Sequence, residues 1–264
     1  MKQTLIRLLP ARLFLFLKGY GWYGNFACWE DAKKKTADGY EAKNILQKVK
    51  ESLLKVKNGE AVYERDSVLF DKIEYSWELL AALLWVAAQN KGVLNVIDFG
   101  GSLGSTYYQN KAFLDNIPQV SWNIVEQPDF VREGKLSFEN DVLKFYFSIK
   151  ECIENTSKKI DIILLSSVLQ YLEHPYELLS EVVNLKIPYI LIDRTGFSIN
   201  NKDRITVQKV PSSIYKGNYP CWFFGEEKFF HFFESNGYDL IVDFNALDKV
   251  NIASKYKGFL YKLM

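Results

Sequence analysis

Residues 93–105, Val-Leu-Asn-Val-Ile-Asp-Phe-Gly-Gly-Ser-Leu-Gly-Ser, constrain the fold more than any other stretch of the chain. Their apolar half reads as a buried strand, and their glycine-rich half as a tight turn into a helix. A second apolar run, Trp122-Asn123-Ile124-Val125, ends in Glu126. A strand, a glycine turn, a helix and a second strand tipped by an acid make a nucleoside-binding βαβ unit. The glycines let the backbone approach a ligand closely, and the acid accepts hydrogen bonds from both ribose hydroxyls.

The spacing of the glycines narrows the choice of nucleoside. A dinucleotide fingerprint needs Gly-x-Gly-x-x-Gly. From Gly100 the later glycine positions hold Ser102 and Ser105, and from Gly101 they hold Leu103 and Thr106, so neither frame fits. The methyltransferase form, acid-x-Gly-x-Gly-x-Gly, is matched by Asp98, Gly100 and Gly104, with Ser102 at the middle glycine. Its ligand, S-adenosylmethionine, has no pyrophosphate. Its amino-acid end carries an ammonium and a carboxylate, which suit an acid and free backbone N–H groups. The expected cofactor contacts are therefore Asp98, Gly100, Gly101, Ser102 and Gly104 at the methionine end, and Glu126 with Gln127 at the ribose.

Composition excludes several classes. With 264 residues, the chain fits one large domain with an extension. Its 33 basic and 32 acidic side chains nearly cancel, which leaves no electrostatic footprint for nucleic acid. Cys28, Cys152 and Cys221 are odd in number, widely spaced and without metal-ligand spacing, so no metal site is expected and a reducing, cytoplasmic setting is the simpler reading. No run is long and apolar enough to span a membrane. Leu5 to Lys18 is apolar but broken by Arg7, Pro10 and Arg12, and makes a poor signal peptide. It reads as a short docking helix; peripheral membrane contact through Phe14, Phe16 and Leu17 is the lesser alternative.

Along the chain, residues 1–64 read as a helical and aromatic extension, and 65–264 as the α/β domain. Gly19 to Gly24 reads as an aromatic loop. Helices are expected over Trp29–Lys35, Glu41–Lys57 and within Ser67–Asn90. After the first two strands, a third is placed at Leu143–Phe147, a fourth at Ile160–Leu165 and a fifth at Tyr189–Ile192. Residues 196–225 read as a lid. A helix from Glu226 ends at Gly237, and the strands Tyr238–Phe244 and Lys255–Leu263 lack a helix between them, so they should pair as a hairpin. Apolar strands alternating with helices imply a seven-stranded, mostly parallel Rossmann-like sheet closed by that antiparallel hairpin.

These segments resemble the class I S-adenosylmethionine-dependent methyltransferases. The chain is more closely similar to a bacterial methyltransferase family often encoded among surface-polysaccharide genes. The resemblance is carried by Trp22 to Trp29 with Gly39-Tyr40, Tyr63 to Ser67, Asp98 to Ser105 and Val125 to Pro128. It continues through Ser166 to Tyr171, Asp193 to Thr195, Gln208 to Tyr215 and Tyr219 to Trp222. It implies the fold and the cofactor, and the acceptor only weakly.

Methyl transfer is a displacement in which the enzyme supplies proximity, orientation and sometimes a base. In open α/β sheets the pocket lies beyond the carboxyl ends of the strands. Phe147, Ser148 and Ile149 should thus flank the adenine, and Ser166 and Ser167 should touch the cofactor. By the resemblance, the loop after the fourth strand borders the methyl group, so Tyr171 is a candidate to orient an acceptor oxygen. Packing is its equal alternative. His174 before Pro175 sits near a helix N-terminus, where its cation is disfavoured and the neutral ring can accept a proton. A surface cap is its competing role. Asp193 can take a hydroxyl proton, and Arg194 can pair with it or grip an anion. The expected activity is methyl transfer to a small acceptor of sugar, nucleotide-sugar or glycan type. A non-catalytic S-adenosylmethionine-binding protein acting through a partner is the alternative, and an NAD-linked oxidoreductase is a distant third. The oligomeric state is not legible.

Overall fold

The computed structural model describes residues 20–36, 43–210, 217–246 and 250–264. The expected docking helix at Leu5–Lys18, Gly39-Tyr40 and residues 211–216 lie outside them. In chain order the elements are β1 (Gly21–Phe26), α1 (Trp29–Lys33), α2 (Lys43–Lys57), β2 (Tyr63–Arg65), β3 (Val68–Phe70) and α3 (Trp77–Gln89). Then come β4 (Val93–Phe99), α4 (Ser105–Leu114), β5 (Gln119–Val125), α5 (Pro128–Ser137), β6 (Leu143–Tyr146), α6 (Ile149–Asn155) and β7 (Ile162–Ser166). The chain ends with α7 (Pro175–Asn184), β8 (Tyr189–Ser198), β9 (Arg204–Val210), β10 (Gly217–Phe223), α8 (Glu226–Ser235), β11 (Tyr238–Asn245) and β12 (Ser254–Leu263).

The main sheet has the order β11-β12-β8-β7-β4-β5-β6. Strands β6, β5, β4, β7 and β8 are parallel, and β12 runs antiparallel to both β8 and β11. This is the expected Rossmann-like sheet with its closing hairpin. The order reverses at β4, so the crevice beyond β4 is the topological switch point where ligands of such sheets bind.

Alternate residues of each strand face opposite layers. Leu94, Val96, Trp122, Ile124 and Leu164 pack under α2 to α5, whose Leu53, Leu83, Tyr107 and Val131 fill one core. Ile97, Ile163, Leu165, Ile190 and Ile192 face α6 to α8, with Cys152, Val182, Phe229 and Phe233 in the second. Burial on both faces explains why these strands read as near-continuous apolar runs.

The helix expected within Ser67–Asn90 is α3; before it lies the β2–β3 hairpin, whose Asp66 and Ser67 both take positive φ, 52° and 68°. Three expectations change in detail. Of the expected aromatic loop, Gly21 to Gly24 lie in β1, which pairs with β9. The fifth main-sheet strand does not stop at Ile192 but runs through Asp193 and Arg194 to Ser198. Residues 196–225 are largely β-structure, since β9 pairs with β10 to form a three-stranded sheet with β1.

The extension 1–64 therefore divides. Strand β1 and α1 join the small sheet, with Ala32 packed against Ile205 and Val207. Helix α2 instead buries Ile45, Val49 and Leu53 in the main core. Among the described residues, no helix is long and apolar enough to cross a membrane.

Candidate active site

Strand β4 delivers the chain into the glycine turn. The Gly100 N–H donates to the Val125 carbonyl at 2.9 Å, so the turn stays tied to β5. Gly100, Ser102 and Gly104 all take positive φ, at 72°, 56° and 106°. The serine thus adopts the left-handed backbone that the methyltransferase motif normally gives to glycine, at a cost of about 1 kcal/mol. Gly101 is required for another reason: a Cβ there would lie 2.5 Å from the Asp98 carboxyl carbon.

Asp98 is buried on β4 and accepts the Trp122 indole N–H at 3.0 Å. Burial pushes its carboxyl up to about 7; the indole bond opposes the shift and the Glu126 charge adds to it. Glu126 follows β5, and its Oε2 accepts the Gln127 N–H at 2.6 Å. Burial raises Glu126 to about 6 against backbone hydrogen bonds from Gln127 and Ser102. The acid at the tip of the second strand is thereby held against the glycine turn.

Beyond β6, Phe147 is exposed, with the Lys135 ammonium 4.9 Å from its ring centre. The Ser148 hydroxyl accepts the Glu151 N–H at 3.0 Å and caps α6. Ile149 is buried in the second core. Strand β6 occupies the expected place, and Phe147 is the exposed aromatic residue that follows it.

On the other flank of the turn, Ser166 at the end of β7 pairs in register with Asp193 on β8. The Ser166 hydroxyl donates to Asp193 Oδ2 at 3.2 Å. Asp193 Oδ1 is buried without a hydrogen-bond partner. Burial raises the Asp193 pKa, with the Arg194 cation, 3.9 Å away, opposing it. Ser167 and Arg194 take φ of 54° and 48°. Strained non-glycine backbone at Ser102, Ser167 and Arg194 thus gathers at the carboxyl edges of β4, β7 and β8, the kind of clustering that marks functional sites. Gln170 braces both loops, its amide donating to Ser167 Oγ at 3.2 Å and to the Arg194 carbonyl at 3.0 Å.

A cavity open to solvent lies between β2, the start of α3, α4 and the residues Ser166 of β7 and Asp193 and Arg194 of β8. Ser105, Glu64 and Arg65 also line it, with Glu74, Glu78 and Gln109. Asp193 and Arg194 both line it. Tyr171 and His174 are not on its lining. The Tyr171 hydroxyl donates to Gln208 Oε1 at 2.8 Å and ties the β7 loop to β9; burial holds its phenol well above the usual range. His174 is exposed beside Glu173 and Glu177, and its side chain makes no capping bond to α7.

Glu64 and Arg65 were not singled out as site residues from sequence, although the segment Tyr63 to Ser67 stood out in the resemblance. Glu64 is buried; its two oxygens accept the Ser105 hydroxyl at 2.6 Å and the Ser67 N–H at 2.7 Å. Burial pushes it up to about 7. The β2–β3 hairpin carries it to the head of α4, a placement no local pattern reveals.

The small sheet covers the β7 and β8 side. The Trp222 indole donates to the Leu172 carbonyl at 2.9 Å, the Tyr171 and Tyr219 rings meet edge-on at 5.3 Å, and Trp22 packs with Phe223 and Tyr256.

No protein-family model matches the chain. No curated protein matches it either. Among solved structures, the chain is similar to an S-adenosylmethionine-dependent methyltransferase from Clostridium acetobutylicum, with a TM-score of 0.49 and 10% identity over 72% of this chain and 92% of that one. It is similar to the N-terminal domain of EvdMO1, solved in the presence of S-adenosylhomocysteine and D-fucose, with a TM-score of 0.48 and 11% identity over 81% and 97%. The magnesium protoporphyrin IX methyltransferase of Synechocystis PCC 6803, with S-adenosylmethionine bound, gives a TM-score of 0.46 and 13% identity over 71% and 79%. The fold class rests on the strand order of this chain's own sheet.

Proposed function

We propose that this chain transfers a methyl group from S-adenosylmethionine to a hydroxyl of a small carbohydrate-type acceptor. One arrangement carries the reading. Along the carboxyl edge of the sheet, Phe147, Glu126, the Asp98–Gly104 turn, Ser166 and Asp193 follow one another on adjacent strands in the order β6, β5, β4, β7, β8. At about 4.8 Å per strand, Glu126 and Asp193 stand about 14 Å apart, which leaves room between them for a nucleoside and a small acceptor.

The donor set fits the cofactor. A carboxylate offers about four lone-pair sites. Backbone N–H groups take two on Glu126, leaving two for a ribose diol. Asp98 suits an ammonium, the N–H groups of Gly101 and Leu103, the two in the turn not spent on Val125, Glu126 or Gly101, suit a carboxylate, and Phe147 offers a face to adenine. When bound, S-adenosylmethionine supplies an electrophilic methyl group. Asp193 is the base: its carboxylate, on the cavity lining, accepts the proton of the acceptor hydroxyl, while Ser166 and Arg194 hold it in place. The small sheet, braced by Tyr171, excludes water from that side.

The test is calorimetric titration of S-adenosylmethionine and of NAD into the protein and its Glu126→Ala variant. Charge-assisted hydrogen bonds of about 1.5–3 kcal/mol predict at least tenfold weaker S-adenosylmethionine binding in the variant. Unchanged affinity in a folded variant, or preference for NAD, overturns the reading.

A further inference from the structure

The cavity does not end at Asp193. Glu74, Ser76 and Glu78 line it from the segment that opens α3, and Gln109 lines it from α4. Gln109 ties the two sides together, its amide donating to the Glu74 carbonyl at 2.5 Å and to the Tyr63 hydroxyl at 3.1 Å. Between Ser76 and Glu78 stands Trp77, whose residue is 58% exposed. Trp77 does not line the cavity itself; it follows one lining residue and precedes another, at the head of α3.

Trp77 is held, not loose. Its ring lies 4.8 Å from Tyr75, and both meet Phe113 edge-on, at 5.9 and 5.3 Å. Phe113 is one turn along α4 from Gln109, so one helix supports both the aromatic cluster and the cavity rim. The buried stripe of α3 begins only at Leu79, so Trp77 adds nothing to the main core. The same short segment shares the cavity with the proposed base, since Glu78 and Asp193 both line it.

We infer that Trp77, supported by Tyr75 and Phe113, is a stacking platform for a second sugar ring, and that the preferred acceptor is a disaccharide or longer glycan, not a free monosaccharide. A pyranose ring presents one face of C–H groups, which packs on an indole, and an equatorial belt of hydroxyls, which carboxylates and amides bind. Trp77 supplies the first partner. Glu78, Gln109 and Glu74 beside its ion-pair partner Arg65 supply the second. This inference rests on the proposed acceptor class and adds a subsite to it.

The experiment uses the full chain labelled at its tryptophan indoles, with the Trp77 resonance identified by its loss in Trp77→Phe. Maltose, cellobiose, lactose and chitobiose are titrated beside glucose, galactose and N-acetylglucosamine. At least one disaccharide is expected to shift the Trp77 signal and to bind at least tenfold more tightly than its component monosaccharides. Trp77→Ala should erase that gain, and Trp77→Phe, which keeps a ring, should retain part of it. A gain that survives Trp77→Ala, or no gain for any disaccharide, overturns the subsite. S-adenosylmethionine titration of the same samples separates the two readings. Loss of cofactor binding with the disaccharide gain intact removes the methyltransferase reading alone. Cofactor binding without the gain removes the subsite alone.

Discussion

The indole Nε1 of Trp122 donates to Oδ2 of Asp98 across 3.0 Å, so the second strand of the nucleoside unit holds the acid that opens the glycine turn. Both side chains are buried. The bond favours ionised Asp98 against the burial that disfavours it. Removing it in Trp122→Phe should leave more of the acid protonated at neutral pH. We expect S-adenosylmethionine binding to weaken about tenfold at pH 7, and by less at pH 8.5, where Asp98 ionises anyway. Titration calorimetry at the two pH values checks this, and equal losses at both would show that the indole acts only by packing.

Three buried carboxyls around the site have raised pKa values: Asp98 and Glu64 at about 7, and Glu126 at about 6. Their ordinary values are 3.8 for Asp and 4.5 for Glu, so between about pH 4 and 7 the folded protein holds more protons than the unfolded chain. Their contribution to stability is fully present below the unfolded pKa values and is lost as pH rises through the folded ones. The free protein should therefore unfold at lower urea concentration at pH 8 than at pH 5. Asp98→Asn should flatten that difference and stabilise the free protein at pH 8 by about 1–3 kcal/mol. Cofactor binding should run the other way and tighten from pH 5 to 8, because a cationic ligand selects ionised acids. A urea midpoint independent of pH would remove this account.

Asp193 is the proposed base, and Ser166 and Arg194 are its positioning partners. Asp193→Asn keeps the shape and removes the basic oxygen. Turnover should fall by about 10²–10⁴, the usual worth of a general base, with S-adenosylmethionine affinity within about twofold of the parent. Single-turnover kinetics with saturating acceptor measures the first effect and calorimetry the second. Full activity in this variant would assign the proton to solvent.

The nucleoside unit was legible because its signals are local. The apolar runs at β4 and β5, Gly100 and Gly104, and Glu126 all lie within 34 residues of one another, and the period and turn chemistry agree. Strand β8 read as ending at Ile192 because Asp193 and Arg194 are polar. The strand continues past them because its backbone pairs with Ser166 of β7 and then with β12 as far as Ser198. Strand β1 was illegible for the opposite reason. Its glycines and aromatics signal a turn locally, and it becomes a strand only by pairing with β9, more than 170 residues away. The β2–β3 hairpin hid behind a turn of Asp66-Ser67, which lacks the glycine that usually announces two consecutive positive φ values. With it went Glu64 and Arg65, whose place in the cavity depends on where that hairpin lands against α4.

The division of the N-terminal region gives the last prediction. Strand β1 completes the small sheet and buries Trp22 against Phe223 and Tyr256, whereas α2 buries Ile45, Val49 and Leu53 in the main core. A truncation that begins near residue 60 removes both. Three buried aliphatic side chains are worth about 2–5 kcal/mol each, which exceeds half the stability of an ordinary domain, so that chain should not fold cooperatively. Removing only residues 1–36 takes β1 and α1 and leaves α2 in place. We expect this shorter deletion to unfold in one transition and to bind S-adenosylmethionine within about threefold of the full chain. Methyl transfer should be lost, because β9 loses one of its two neighbours and Gln208, which holds Tyr171, loses its bond to the Tyr20 hydroxyl. Urea denaturation, calorimetry and methyl transfer to an acceptor used by the full chain measure the three quantities. Retained turnover would mean that β1 and α1 only pad the outer edge of the small sheet. Loss of cofactor binding in a folded sample would mean that they reach the nucleoside side as well.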